Sequence, residues 1–241
     1  LDLPSRLADS LVAGRVDVAL VPSIEFLRHS EYAVVSDACI ACRGPVLSVR
    51  LYFRVPPRQV RSLALDEGSR TSAALAQILL AELYGVSPRL ESLPIGASAT
   101  DTDADAVLLI GDRAMRPSGE PFADVWDLGD RWYRWAQLPF VFAMWVARPD
   151  ANTDRLTNVL QAARDLGVAR LAEIARREAS QLDISTDVAF QYLGTNLNFT
   201  LGEEEQHGLA RFFELCRRHN LSPLHPPAPD SRIATSDCPA I

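Results

Sequence analysis

Lysine is missing altogether from this chain, and all 24 cationic side chains are arginine. That absence removes lysine Schiff bases, the lysine of a phosphate-cradling P-loop and a lysine general base. Histidine is scarce, at four residues (His29, His207, His219 and His225), which read as surface or helix-end positions rather than ligands. Long apolar runs are lacking too. Ala106–Ile110 and Val141–Ala147 fall far short of the ~20 residues that a membrane span needs, so no membrane partner is expected. No signal-peptide pattern opens the chain, which begins at Leu1 rather than methionine, and the expectation is a cytoplasmic protein. With a net charge of −7, the clustered positive field that nucleic acid requires is absent. Cys39-Ile40-Ala41-Cys42 has redox or metal spacing, yet Cys216 and Cys238 stand far off singly, so small buried residues are the reading. Asp101, Asp103 and Asp105 lack the glycine and distal glutamate of a calcium loop. No metal site is expected.

What is present is an ordinary globular composition, 48% hydrophobic over 241 residues, enough for one large core or two smaller ones. The organising stretch is Leu63 to Tyr84: a short apolar strand, a turn Glu67-Gly68-Ser69-Arg70-Thr71-Ser72, and an amphipathic helix. Unpaired amides at the helix start, three hydroxyls and a guanidinium favour an anion, most simply a carboxylate or phosphate. Equally consistent with these residues are a helix merely capped by Ser69 or Thr71 and an Arg70 in solvent.

Around it, alternating patterns mark an α/β protein. A helix opens at Pro4 and closes at Gly14, and Val16–Val21 is a strand ending in Pro22-Ser23. Tyr32–Val35 and Ala38–Ala41 read as two short strands, and Val46–Phe53 as a central or crossing strand with Ser48 its only mid-strand hydroxyl. Ser48 reads as a substrate contact or as a small filler bonded to backbone. Ala106–Ile110 delivers Gly111-Asp112 at its carboxyl end, where open sheets place ligands, although Asp112 could equally cap the next turn. Phe140–Ala147 is a second long apolar strand. It and Val46–Phe53 bracket a middle lobe, the wiring of a two-lobed hinge protein. The expected division is residues 1–51 with 140–220 in one lobe and 52–139 in the other. Helices dominate from Thr153, the third of them capped by Ser185, carrying Val188, Phe190 and Tyr192 and ending at Gly194. A Pro-rich tail over 221–241 is expected to stay loose.

Six blocks then carry a family resemblance: Val16–Pro22, Gly44–Ser48, Ser69–Ser72, Val107–Asp112, Asp127–Gly129 and Leu138–Ala143. In order and spacing they resemble the chorismate dehydratases of the futalosine route to menaquinone, over nearly all of residues 3 to 220. The resemblance implies a two-lobed type II periplasmic-binding-protein-like fold with a helical C-terminal part. It implies chorismate as the small-molecule substrate, eliminated to 3-[(1-carboxyvinyl)oxy]benzoate without metal or redox cofactor. It also implies that Ser48 holds a substrate carboxylate, that Ser69, Arg70, Thr71 and Ser72 form the anion-holding turn, and that the substrate's own side-chain carboxylate is the base. Ser23 and Asp112, at strand ends, are expected to face the same cleft. The family pattern opens with a strand bearing a Tyr-Leu-Asn type motif that the given sequence does not contain, leaving an upstream segment or a site without it as alternatives. Arg43, before Gly44, reads either as an added cation near substrate or as a solvent-facing residue. Two rival readings are the sister 1,4-dihydroxy-6-naphthoate synthase, which relies on a cleft histidine, and a non-catalytic small-carboxylate-binding protein.

Overall fold

The computed structural model describes residues 2–115, 119, 121–182 and 184–221. The Pro-rich tail lies outside the described residues, apart from Leu221. Among those described, nine strands form two sheets: β1 (Val18–Pro22), β2 (Ala33–Cys42), β3 (Val49–Phe53), β4 (Ser62–Asp66), β5 (Arg89–Leu93), β6 (Ala106–Ile110), β7 (Asp124–Asp127), β8 (Phe140–Ala147) and β9 (Asn198–Thr200). The first sheet runs β1-β8-β2-β9 and the second β5-β4-β6-β3-β7. No described helix is long and apolar enough to cross a membrane.

In the second sheet β4 pairs in parallel with β5 and β6, the geometry of strands joined by crossover helices. β3 inserts antiparallel between β6 and β7. The carboxyl ends of β4 and β6 and the amino end of β3 therefore share one edge, to which Asp66, Ile110 and Ser48 are all delivered. In the first sheet the apolar β8 is one of two inner strands, pairing antiparallel with β1 on one side and β2 on the other. Its near-continuous burial explains why it reads as one hydrophobic run.

Several expectations change. The two short strands expected over Tyr32–Ala41 are one ten-residue strand, kept continuous by an irregular register against β8 between Val34 and Cys39. There Ser36 Oγ accepts from the Ala38 amide at 3.0 Å, a local alternative to ladder bonding that resembles a break in the sequence. The expected strand from Val46 begins only at Val49 and pairs solely within the second sheet, so Val49–Leu51 side with residues 52–139. β7 falls in a stretch not expected to be strand, since four residues with aspartate at both ends carry little β signal.

Helix Arg70–Tyr84 ends on Gly85 in the left-handed conformation (φ 66°). It buries Leu75, Ile78 and Leu79 completely, within one continuous core that also holds Leu51 and Leu63 of the second sheet and Val21 and Val141 of the first. Leu128 and Trp132 of helix Leu128–Ala136, and Phe212 and Phe213 of helix Glu203–Arg218, close this core. Three described cysteines, Cys39, Cys42 and Cys216, are free and buried. Burial pushes the thiols of Cys39 and Cys216 up to about 12 and raises that of Cys42 as well. Since the thiolate is the reactive species, iodoacetamide at pH 8 should leave all three unmodified in the native protein and label them in denaturant, as read by peptide mass mapping. Labelling of any of them at the native state's surface rate would contradict this packing.

Candidate active site

The site starts from a backbone bend. Ser48 N–H donates to the Val46 carbonyl at 2.7 Å, closing a three-residue turn about Leu47, whose φ is +63°. A branched side chain in that region is strained by about 1–2 kcal/mol, so something must hold it there. Asp127 does so: its carboxylate accepts from the Val46 amide (2.9 and 3.1 Å), the Leu47 amide (2.7 Å) and, as N-cap of its own helix, the Asp130 amide (3.0 Å). Gly129 lets the two segments meet. A Cβ on it would lie 2.5 Å from the Gly44 carbonyl oxygen and 2.6 Å from Cys42 Sγ.

The bend presents Ser48, only 7% exposed, to two neighbours. Its carbonyl accepts from the Gly111 amide at 2.8 Å, fixing it to the end of β6. Its Oγ accepts from the Tyr192 hydroxyl at 2.9 Å. Burial raises the Tyr192 pKa, the bond to Ser48 opposes that rise, and the Asp112 carboxylate adds to it, so the phenol stays a proton donor at neutral pH. Asp112 itself opens the short helix Asp112–Met115.

The Glu67–Ser72 turn lies on the same edge, one strand over. A Cβ on Gly68 would stand 3.2 Å from Ile110 Cδ1, which measures how closely the turn approaches the end of β6. The turn is braced from below: buried Asp66 accepts from the Gly68 amide at 2.9 Å and pairs with Arg113 at 2.5 Å. Ser69 occupies the N-cap of helix Arg70–Tyr84, yet its hydroxyl makes no capping bond and donates instead to Ser72 Oγ at 2.7 Å. The amides of Arg70, Thr71 and Ser72 thus keep no partner within the helix, at the positive end of fifteen aligned residues. An anion is the natural complement.

The structure separates the expected residues into three groups. Ser48 bonds to Tyr192, whose phenol feels the charge of Asp112, and Ser69 and Ser72 line the turn at the same end of the sheet. Ser23 and Thr71 turn toward the protein: Ser23 Oγ donates to the Val141 carbonyl at 2.7 Å, and Thr71 Oγ1 accepts from the Ile24 amide at 3.3 Å, joining the two sheets' layers. Arg70 is not a free cation. It pairs with Asp9 at 2.6 Å and Glu25 at 3.3 Å, which keep its pKa above the usual value against the pull of burial. Arg43 is drawn away from the site by Glu204 and by Glu205, the latter at 2.8 Å. Among the described histidines, His29 sits by Glu31 and His219 by Glu82, away from this edge. A cavity of about 400 Å³ lies elsewhere, between the first sheet and helices Leu156–Ala169 and Leu171–Ala179, lined by Leu20, Trp145, Leu160 and Ile174. Its walls are mostly apolar, and the one cation lining it, Arg164, is already paired with Asp37 and Asp165.

Sequence reasoning did not find Asp127, Arg113, Tyr192 or Gly129 as site supports. An Asp three residues before a helical amide is an N-cap signal that marks Asp127, whereas its reach back to Val46 spans 81 residues and leaves no local trace.

The sequence matches known proteins along most of its length. A family model described as "Menaquinone biosynthesis" matches residues 1–218. The chain belongs to the menaquinone-biosynthesis family. Within that family it is 33% identical to a chorismate dehydratase of Thermus thermophilus over 230 residues, covering 88% of this chain and 84% of that one. It is 25% identical to a chorismate dehydratase of Campylobacter jejuni, covering 91% and 84%. Solved structures extend the likeness to fold alone. An Archaeoglobus fulgidus protein superposes with a TM-score of 0.66 at 15% identity, covering 92% of this chain and 85% of that one. The periplasmic aliphatic sulphonate binding protein of Escherichia coli does so with 0.59 at 14% identity, covering 92% and 81%. This family member therefore has the periplasmic-binding-protein-like fold.

Proposed function

We propose that the protein is a chorismate dehydratase, a hydro-lyase that converts chorismate to 3-[(1-carboxyvinyl)oxy]benzoate. The observation that carries this reading is the placement, at one end of one sheet, of the Ser48 hydroxyl and an uncapped helix start, in a chain that the menaquinone-biosynthesis family matches over residues 1–218. The two sheets serve as lobes, residues 1–51 with 140–220 and 52–139, with β3 assigned to the second. The substrate binds where their strand ends face each other.

The chemistry suits a site built of donors. Chorismate carries a ring carboxylate conjugated to a diene, so loss of the C3 proton gives a stabilised dienolate that expels the C4 hydroxyl. The C3–H and C4–O bonds break, the proton passes to the substrate's side-chain carboxylate, the leaving hydroxide takes up a proton to give water, and the ring becomes aromatic. The hydroxide leaves with the C4–O bonding pair and the C3–H pair stays in the ring, so the elimination is redox-neutral. The protein's part is orientation and charge stabilisation: Ser48 donates to a carboxylate, while the amides of Arg70, Thr71 and Ser72 and the hydroxyl pair Ser69–Ser72 hold the second anionic group. Asp112 bounds the site and disfavours misplaced carboxylates. Ser23, Thr71 and Arg70 contribute by fixing the turn against the first sheet. Three buried free thiols suit work in the reducing cytoplasm.

Incubating the intact protein with chorismate is expected to yield a product lighter by one water, with the absorbance of a substituted benzoate. Binding of chorismate without that product would point to a carboxylate-binding protein and overturn the enzymatic reading.

A further inference from the structure

Tyr192 comes from a place that helical periodicity does not reveal. Helix Thr186–Gln191 passes into a π-helical turn, Tyr192–Asn196, in which the Leu197 amide donates to the Tyr192 carbonyl at 3.0 Å, five residues back. Such insertions rotate the following side chains out of phase and recur at functional sites. Here two side chains of the turn form hydrogen bonds to the Pro45–Ser48 bend, about 150 residues away in sequence. Tyr192 donates to Ser48 Oγ, and Asn196 Nδ2 donates to the Pro45 carbonyl at 2.8 Å.

We infer that Tyr192 is the positioning residue of Ser48, its phenol occupying a lone pair of Ser48 Oγ so that the serine's own proton is directed at the substrate carboxylate. This rests on the reading of Ser48 as a carboxylate donor given above. The reasoning is directional. A hydroxyl has one proton and two acceptor sites, and no described group accepts the Ser48 proton, whereas Tyr192 fills one acceptor site. A serine that accepts from a phenol is a stronger donor, since consecutive hydrogen bonds polarise one another. The bond to a carboxylate is the charge-assisted one that benefits. The π-turn supplies the phenol, and Asn196 ties the same turn to Pro45, so donor and acceptor move together.

The test is a double-mutant cycle on the intact protein with Tyr192→Phe, Ser48→Ala and the pair, reading steady-state kinetics on chorismate and calorimetric binding of chorismate and of benzoate. Tyr192→Phe is expected to weaken carboxylate binding and kcat/KM about three- to tenfold in the Ser48 background. In the Ser48→Ala background the same change is expected to do nothing, a coupling that a packing role for the ring would not produce. Thermal midpoints recorded alongside identify a folding loss, which would lower the active fraction equally in both backgrounds and so overturn the inference. Wild-type kinetics for Tyr192→Phe, with chorismate still turned over, would sink the positioning role and leave the dehydratase reading standing. Serine-dependent loss of binding by Tyr192→Phe in a protein that turns over no chorismate would sink the dehydratase reading and leave the positioning role. A wild-type protein that binds neither probe would overturn both.

Discussion

Gly129→Ala is expected to lower the thermal midpoint by about 4–8 °C and to reduce kcat/KM on chorismate about tenfold or more. Two effects oppose each other at this position. Alanine in a helix is favoured over glycine by about 1 kcal/mol. Against that, the new Cβ would stand 2.5 Å from the Gly44 carbonyl oxygen and 3.1 Å from Val46 Cβ. The first of these is backbone, which cannot swing aside as a side-chain tip can, and relieving such a contact costs about 3 kcal/mol in a packed interior. The clash therefore wins. It also acts where the bend that carries Ser48 begins, so stability and activity should fall together. Gly167→Ala is the matched control, because it is another helical glycine and nothing lies within 4 Å of its added Cβ. That variant should keep full activity and a midpoint at or above wild type, by differential scanning calorimetry. Equal behaviour of the two variants would mean that the Gly44–Ser48 bend is not wedged against the helix.

Ser48→Ala carries the second large effect. A hydroxyl bonded to a carboxylate contributes about 1.5–3 kcal/mol, so kcat/KM should fall about 10- to 150-fold. Folding should survive, with a drop of about 2–4 °C as the Tyr192 phenol loses its acceptor. Steady-state assays at saturating and limiting chorismate, with melting curves on the same preparations, decide it. Wild-type kinetics would make Ser48 a packing residue and leave the Arg70–Ser72 helix start as the sole anion contact.

How much of this could be read from the sequence depends on how locally each feature is determined. Leu63–Tyr84 was legible as strand, turn and helix because the apolar periodicity and Gly68 both lie inside it. β6 and the Gly111-Asp112 it delivers were legible for the same reason, and so was the two-lobed class, which needs only the order of elements. The Ser185 cap was as well, with Oγ accepting from the Val188 amide at 3.2 Å. What was hidden depends on contacts distant in sequence. Val46 and Leu47 look like strand by composition, and it is Asp127, 80 residues on, that folds them into a bend. Arg70 looks like a free guanidinium until Asp9 and Glu25 arrive from elements of the first sheet. Arg43 is likewise claimed by Glu204 and Glu205 from the last helix. Tyr192 fits the apolar stripe of its helix, and only the π-turn takes it out of that register.

The Leu47 bend has one further implication. Glycine at 47 would relax the positive φ and still offer its backbone amide to Asp127. Holding leucine there trades folding margin for stiffness: the bend behaves like a cocked spring whose catch is the Asp127 carboxylate, and its tension fixes where Ser48 sits.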